Sequence, residues 1–305
     1  MEMIELYKKF LYMFLLLLVF ALCFFTTSCR KLPSSETLPE IQNDLFSSPD
    51  EQNIEVSPTP DLTEQKPVQE QILRNEFLDS ILIEFKETVE RQAREFPESF
   101  YLHSPFNEKQ IALTFDDGPD GKYTPEILDV LKEYNVKATF FLLGQNMEYN
   151  PEMTRRIVDE GHTAGNHSYS HPDFRYLNVE DAIQKQVLKT QQVFEDILGF
   201  RPVFFRPPYG AVTDEQISVL AEEGMIVIEW SIDTFDWSET QNSPERILNR
   251  IKRHHHGGAV ILMHSAGGDR SNTVAALPEI IEFLQTEGYE LVTIDEMFDN
   301  KNIDH

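Results

Sequence analysis

Two adjacent carboxylates, Asp116 and Asp117, end a short alternating stretch, Ile111-Ala112-Leu113-Thr114-Phe115, and the turn former Gly118-Pro119 follows them directly. Successive strand residues face opposite ways, so the pair can divide two tasks, one carboxylate ligating a metal while the other moves a proton. The same residues also suit a polar strand-end turn with capping aspartates. Downstream, Gly165-Asn166-His167-Ser168-Tyr169-Ser170-His171-Pro172 offers two histidines four apart. Rings at that spacing lie on one side of a helical turn, although Gly165 and Pro172 confine this pair to a short turn after a strand. Two imidazoles and one carboxylate make an open metal site with room for water. Arg206 and Tyr209, then Asp233 and Asp236, then His264 complete the polar positions at strand ends. The triplet His254-His255-His256 precedes Gly257-Gly258 and reads as a solvated helix terminus compatible with the dipole. His103 and His162 have no partner pattern.

The elements that must position these residues alternate. Strands are predicted at 111–116, 138–143, 162–166, 203–206, 226–232, 259–264 and 290–294, with helices at 124–134, 151–159, 179–198, 213–223, 244–253 and 273–287. Thr124-Pro125, Asn150-Pro151 and Ser243-Pro244 place a capping residue before a proline at the first helical position. Gly199, Gly224 and Gly288 follow three helix ends. Strands and helices in alternation predict parallel βα units, in an open sheet or a barrel. The polar residues fall after the carboxyl ends of strands one, three, four, five and six. A barrel gathers those ends on one rim, whereas an open sheet spreads them. The expectation is an α/β fold, an incomplete seven-stranded TIM-like (β/α) barrel whose open side leaves a groove for a polymer.

The chain of 305 residues has 26 basic and 52 acidic side chains, a net charge of −26. That balance, without a basic patch after the N-terminus, argues against nucleic acid as a partner. Its two cysteines, Cys23 and Cys29, both lie in the first 29 residues, so the folded part has no disulfide framework or cysteine metal site. Lys8-Lys9, an apolar run from Phe10 to Phe25 and Thr26-Thr27-Ser28 read as a secretory signal over 1–28. Cys29 stands where the lipidated cysteine of a bacterial lipoprotein would, the alternative being an uncleaved signal anchor. Either way the chain is expected to be exported and tethered to the outer face of the cytoplasmic membrane. Residues 29–67, rich in proline and acids, read as a disordered linker. The spacer 68–104 holds Ile72, Leu73, Phe77, Ile81, Leu82, Phe85 and Val89 at helical spacing before Pro97. It reads as an amphipathic helix packing on the domain at 105–300.

Five segments occur in order: Phe115–Pro119 (FDDGP), His167–His171 (HSYSH), Arg206–Gly210 (RPPYG), Asp233–Trp237 (DTFDW) and Ile261–His264 (ILMH). Together they resemble the motifs of the bacterial polysaccharide deacetylases, the NodB-homology carbohydrate esterases, over residues 107–298. The resemblance implies that Asp117, His167 and His171 ligate a divalent metal, zinc foremost, with cobalt or manganese as other candidates. It implies that Asp116 is the general base, oriented by Arg206, and that His264 is the general acid, held by Asp236. The backbone N–H of Tyr209 would hold the oxyanion, and Trp237 and Leu262 would line the acetyl pocket. Met263, Tyr169 and Ser170 depart from commoner choices without removing a polar group. The implied reaction is metal-dependent N-deacetylation of N-acetylhexosamines in a cell-surface polysaccharide, peptidoglycan first. Alternatives are an esterase on O-acetylated xylan or another glycan, and a non-catalytic carbohydrate-binding surface lipoprotein.

Overall fold

The alternation in the first motif sorts side chains between two environments in the computed structural model, which describes residues 84–104 and 109–299. In β2 (Gln110–Asp116) Ile111, Leu113 and Phe115 join the large core under the helices, and Ala112 joins a second cluster within the curl of the sheet. The other strands are β1 (Phe100–Tyr101), β3 (Thr139–Leu142), β4 (Thr163–Asn166), β5 (Phe204–Phe205), β6 (Ile226–Ile228), β7 (Ile232–Asp233), β8 (Val260–His264) and β9 (Glu290–Val292). All nine form one parallel sheet, in the order β1-β6-β5-β4-β3-β2-β8-β7, with β9 paired to the first half of β2.

The segment expected as one strand over 226–232 is broken, and the break curls the sheet. Ile226–Ile228 pairs with β5, whereas Ile232–Asp233 pairs with β8 at the far end of the strand order. Three residues cannot span an open sheet of this width, so the two ends are drawn together into an incomplete (β/α) barrel. Inside it, Phe141, Phe204, Ile226, Ile228 and Val260 pack with Met297 and Phe298 of the last helix. Above that apolar layer sit the polar side chains of Thr114, Asp116, Arg206 and His264.

Around the barrel run α1 (84–95), α2 (Tyr123–Glu133), α3 (Gly144–Tyr149), α4 (Pro151–Asp159), α5 (Lys189–Leu198), α6 (Asp214–Glu222), α7 (Pro244–His254), α8 (Ser271–Thr286) and α9 (Ile294–Asp299). Segment 1–67, with Cys29, lies outside the described residues, as do residues 68–83 of the expected helical spacer over 68–104; α1 is the helix found in its described part. The short α3 and α9 carry too few turns for a periodic signal, and β1 only two residues; the sequence reading has none of them. The sheet also takes in Phe100–Tyr101, ahead of residue 105.

Two of the three expected caps differ. Asp120, not Thr124, caps α2: its Oδ1 accepts from the N–H groups of Lys122, Tyr123 and Thr124. Thr124 instead donates its hydroxyl to Ser265 O. Asn150 precedes Pro151 as expected, but its side chain donates to Pro119 O and to Asn146 O of α3 and makes no cap bond to α4. Ser243 caps α7 through Arg246 N–H. Among the described residues no helix is long and apolar enough to cross a membrane.

Candidate active site

Asp116 keeps the inward direction of Ala112 and Thr114, because the strand runs through it. Asp117 does not follow the alternation. Its φ of 71°, fixed by Asn146 Nδ2 donating to its carbonyl at 2.7 Å, turns its carboxylate to the same side. Both carboxylates therefore face one imidazole: His167 Nε2 is 3.8 Å from Asp116 Oδ2 and 3.6 Å from Asp117 Oδ1. His171 Nε2 is 3.3 Å from Asp117 Oδ1.

The two histidines converge through a turn, not a helix. Ser168 and His171 have φ of 74° and 60°, Asn166 Oδ1 accepts from Ser168 N–H, and Ser168 Oγ accepts from His171 N–H. A π-helical stretch, Asp181–Leu188, runs into α5 and supports this loop. Gln186 Oε1 accepts from the N–H groups of Tyr169 and Ser170, while Val187 O accepts from Asn166 Nδ2. Among the described residues, five of the six non-glycine positions with positive φ, namely Asp117, Ser168, His171, Tyr209 and Phe235, lie within the five motifs. Each such conformation costs about 1–3 kcal/mol and persists only where its surroundings impose it.

Asp117, His167 and His171 bring one ligand atom each to within 4.8 Å of one another, the only such group among the described residues. Two observations make the trio fit a divalent cation. Asp117 Oδ1 is buried with no hydrogen-bond partner, a costly state unless something fills it. His167 Nδ1 bonds Arg206 O at 2.7 Å, which fixes the proton on Nδ1 and leaves Nε2 as a lone pair aimed inward. Burial, followed by the neighbouring His167, lowers the pKa of His171 and favours the neutral, ligating ring.

Behind them Arg206, fully buried, donates from Nη1 to Asp116 Oδ1 and Thr114 Oγ1, both at 2.8 Å. Its Nε and Nη2 donate to Ile228 O and Glu229 O, each at 2.9 Å, at the break between β6 and β7. One guanidinium thus pins the chain leaving β6 and fixes the Asp116 carboxylate by a charge-assisted bond. Asp116 and His264 are register partners across β2 and β8. His264 Nδ1 donates to Asp236 Oδ1 at 2.7 Å, and Asp236 Oδ2 accepts from His264 N–H and Thr273 Oγ1, both at 2.8 Å. Burial opposes charge on His264, but the charge and hydrogen bond of Asp236 prevail and push it up to about 9. Burial likewise opposes the Asp236 carboxylate, and His264 and Arg270 hold it below its ordinary value.

Tyr209 is exposed at the mouth, its ring edge-on to His171 at 4.6 Å. Trp237 is half exposed, its Nε1 donating to Asp233 Oδ1 at 3.3 Å. Leu262 is buried on the inner face of β8, in register with Thr114. The remaining histidines stand elsewhere. His162 accepts from Ala138 N–H, and burial lowers it to about 4. His255 pairs with Tyr289 Oη and His256 with Ser231 Oγ, near the start of β8 and the opposite rim.

A sequence model of the polysaccharide deacetylase family matches residues 103–228. A peptidoglycan-N-acetylglucosamine deacetylase of Bacillus cereus is 44% identical over 201 residues, 66% of this chain and 72% of that protein. This chain belongs to the polysaccharide deacetylase family. The peptidoglycan deacetylases it matches are hydrolases acting on amide bonds, and this chain is a hydrolase of that kind. The Bacillus subtilis peptidoglycan-N-acetylmuramic acid deacetylase PdaC is 42% identical over 63% of the chain, which spans only 39% of that relative. Among solved structures, the peptidoglycan N-acetylglucosamine deacetylase Bc1960, in complex with 4-naphthalen-1-yl-N-oxidanyl-benzamide, superposes with a TM-score of 0.62. Its identity is 44%, covering 65% of this chain and 92% of that one. The site of this polysaccharide deacetylase also has supports that the five motifs leave out: Thr114, Asn146, Gln186 and Thr273. Each acts across a long sequence separation, and no local pattern marks it.

Proposed function

We propose that this polysaccharide deacetylase is a divalent-metal-dependent N-deacetylase that removes acetyl groups from N-acetylhexosamines of peptidoglycan. The observation that carries the reading is the unpartnered Asp117 Oδ1 facing two imidazoles, with a fixed carboxylate on one side and a charged histidine on the other. Asp117 Oδ1, His167 Nε2 and His171 Nε2 would hold the cation, zinc before cobalt or manganese. When bound, it supplies Lewis acidity, which brings the ionisation of water toward a pKa of about 7.

The chain's own groups move the protons. Asp116 Oδ1 is committed to Arg206, so Oδ2 is the atom that takes the proton of the attacking water. His264, charged at neutral pH and held through Nδ1, gives the proton on Nε2 to the departing amine as the C–N bond breaks. The Tyr209 N–H serves the tetrahedral oxyanion, and Trp237 and Leu262 wall the acetyl methyl. Kinship with deacetylases of both N-acetylglucosamine and N-acetylmuramic acid supports peptidoglycan and leaves the sugar to experiment. Export on the 1–28 signal, lipidation at Cys29 and the 29–67 linker complete the proposal: such an enzyme, tethered outside the membrane, faces its substrate directly.

Acetate release from peptidoglycan and from N-acetylglucosamine oligomers, measured on chelated protein resupplied with zinc, cobalt or manganese, tests it. Release that depends on the added cation is expected. No release with any of the three overturns the reading in favour of a carbohydrate binder, and release from acetylated xylan alone would make the chain an esterase.

A further inference from the structure

The left-handed backbone at Tyr209 needs an external cause. Pro207 and Pro208 precede it and Gly210 follows at φ 61°, so the turn Pro208–Gly210 makes two consecutive left-handed steps. A tyrosine adopts this conformation only where packing imposes it. Tyr209 itself meets His171 edge-on, whereas the packing on the next residue, Gly210, comes from outside the region that the family model matches. An ideal Cβ on Gly210 would lie 2.8 Å from Cε2 and Cζ of Phe85 and 2.9 Å from Cη2 of Trp230. Phe85 belongs to α1, and its ring stacks on Trp230 at 5.7 Å and 24°. Trp230 in turn lies 5.8 Å from the Arg206 guanidinium, which holds Asp116.

The docking of α1 is specific. Arg91 makes two hydrogen bonds to Asp214, at 2.8 and 3.0 Å. Gln92, buried, donates to Val212 O at 2.9 Å and to Asp214 Oδ1 at 3.0 Å. Val89 packs in the cluster of Phe205, Val212 and Ile217. The polar contacts fall on Val212 and Asp214 just after the turn, and the Val89 cluster takes in Phe205 before it and Ile217 after it. The proline-containing stretch fixes the turn from one end, and α1 presses on it from behind.

We infer that Phe85 is a positioning residue for the substrate site. Through Gly210 and Trp230 it sets where the Tyr209 N–H stands, so a helix ahead of the family-matched region belongs to the machinery of this deacetylase. The inference rests on the proposed role of Tyr209 in the oxyanion site. Displacement of such a group by about 1 Å can cost about 100-fold in rate.

The test compares Phe85→Ala, Phe85→Leu and Leu284→Ala in the full chain, with kcat, KM, bound zinc and Tm measured for each beside the unaltered protein. Phe85→Ala is expected to lower kcat at least about tenfold at unchanged zinc content, and Phe85→Leu to recover most of it. Leu284→Ala opens a cavity in the large core, a cluster that holds no residue of α1 or of the turn; it should lower Tm and leave kcat within about twofold. Wild-type kcat in Phe85→Ala, or a loss of kcat in Leu284→Ala as large as that in Phe85→Ala, overturns the inference. An unaltered chain that releases no acetate defeats the deacetylase reading instead. Gly210→Ala alone and combined with Phe85→Ala then decides the brace through Tm. The methyl should cost less in the Phe85→Ala background, and additive losses would overturn it.

Discussion

Asp116 and Asp117 are neighbours of one chemical type, and their surroundings separate them. Asp116 has one oxygen on a buried guanidinium, whereas Asp117 has a buried oxygen on nothing. Asp116→Asn should therefore retain zinc while losing about 100-fold or more in kcat, since a positioned base contributes about 10²–10⁴. Asp117→Ala should lose the zinc itself, as atomic absorption on the dialysed variants would show. The pair reversed, with zinc lost from Asp116→Asn and kept in Asp117→Ala, would mean that their roles are exchanged. His264 gives a pH signature. Its folded pKa, raised to about 9 by Asp236 against the cost of burial, exceeds the ordinary value near 6.5. The stability it contributes in the metal-free chain is full below about pH 6.5 and disappears as pH rises through about 9. In its proposed role of general acid it loses its proton as pH rises through about 9, so kcat should fall on the alkaline side. Asp236→Asn should move that fall to lower pH; a pH–rate profile in which it stays put would separate His264 from the proton donor.

Loops after strands hold the site, and they vary in how plainly the sequence announces them. Asp116 is legible because Ala112, Thr114 and Asp116 share one face of β2. Asp117 is not, since a positive φ imposed by Asn146 cancels the alternation, and Asn146 lies 29 residues away. The histidine spacing points to convergence, yet an Asx turn and a π-helical support produce it in place of a helical turn. The same limit explains the 226–232 strand: its composition is continuous, and only Arg206, bonding Ile228 O and Glu229 O, marks the break. Gly267, in the loop between β8 and α8, is a point where this geometry has no slack. It has φ 75°, and a Cβ there would stand 2.5 Å from Asp117 Oδ2. Gly267→Ala should weaken zinc binding and lower Tm together, checked by metal titration and thermal melting; unchanged zinc affinity would show that Asp117 has room to move.

Across the whole molecule, the barrel carries an apolar floor beneath a polar site. The α/β class and the gathering of strand ends on one rim are legible because period-2 and period-3.6 patterns alternate. The closing of the floor is not, because α9 is too short to show a period. Phe298 of α9, almost fully buried against Tyr101 and Phe204, fills that floor. Phe298→Ala should cost about 3–5 kcal/mol of stability, read by chemical denaturation, while the zinc-loaded variant keeps its kcat below its melting range. Beyond the barrel, the proposed tether makes its own prediction: a lipid-analogue label on the chain in its host that Cys29→Ala abolishes. A label that survives the substitution contradicts lipidation there.

The convergence of Asp117, His167 and His171 on one cation beside Asp116 and His264 is measured most directly by anomalous diffraction at the zinc edge from zinc-loaded crystals. The expected result is one strong peak about 2.0–2.2 Å from Asp117 Oδ1, His167 Nε2 and His171 Nε2, with the Asp116 carboxylate beside it and still bonded to Arg206. A peak held by other residues, or none at the trio in fully loaded protein, would contradict the account.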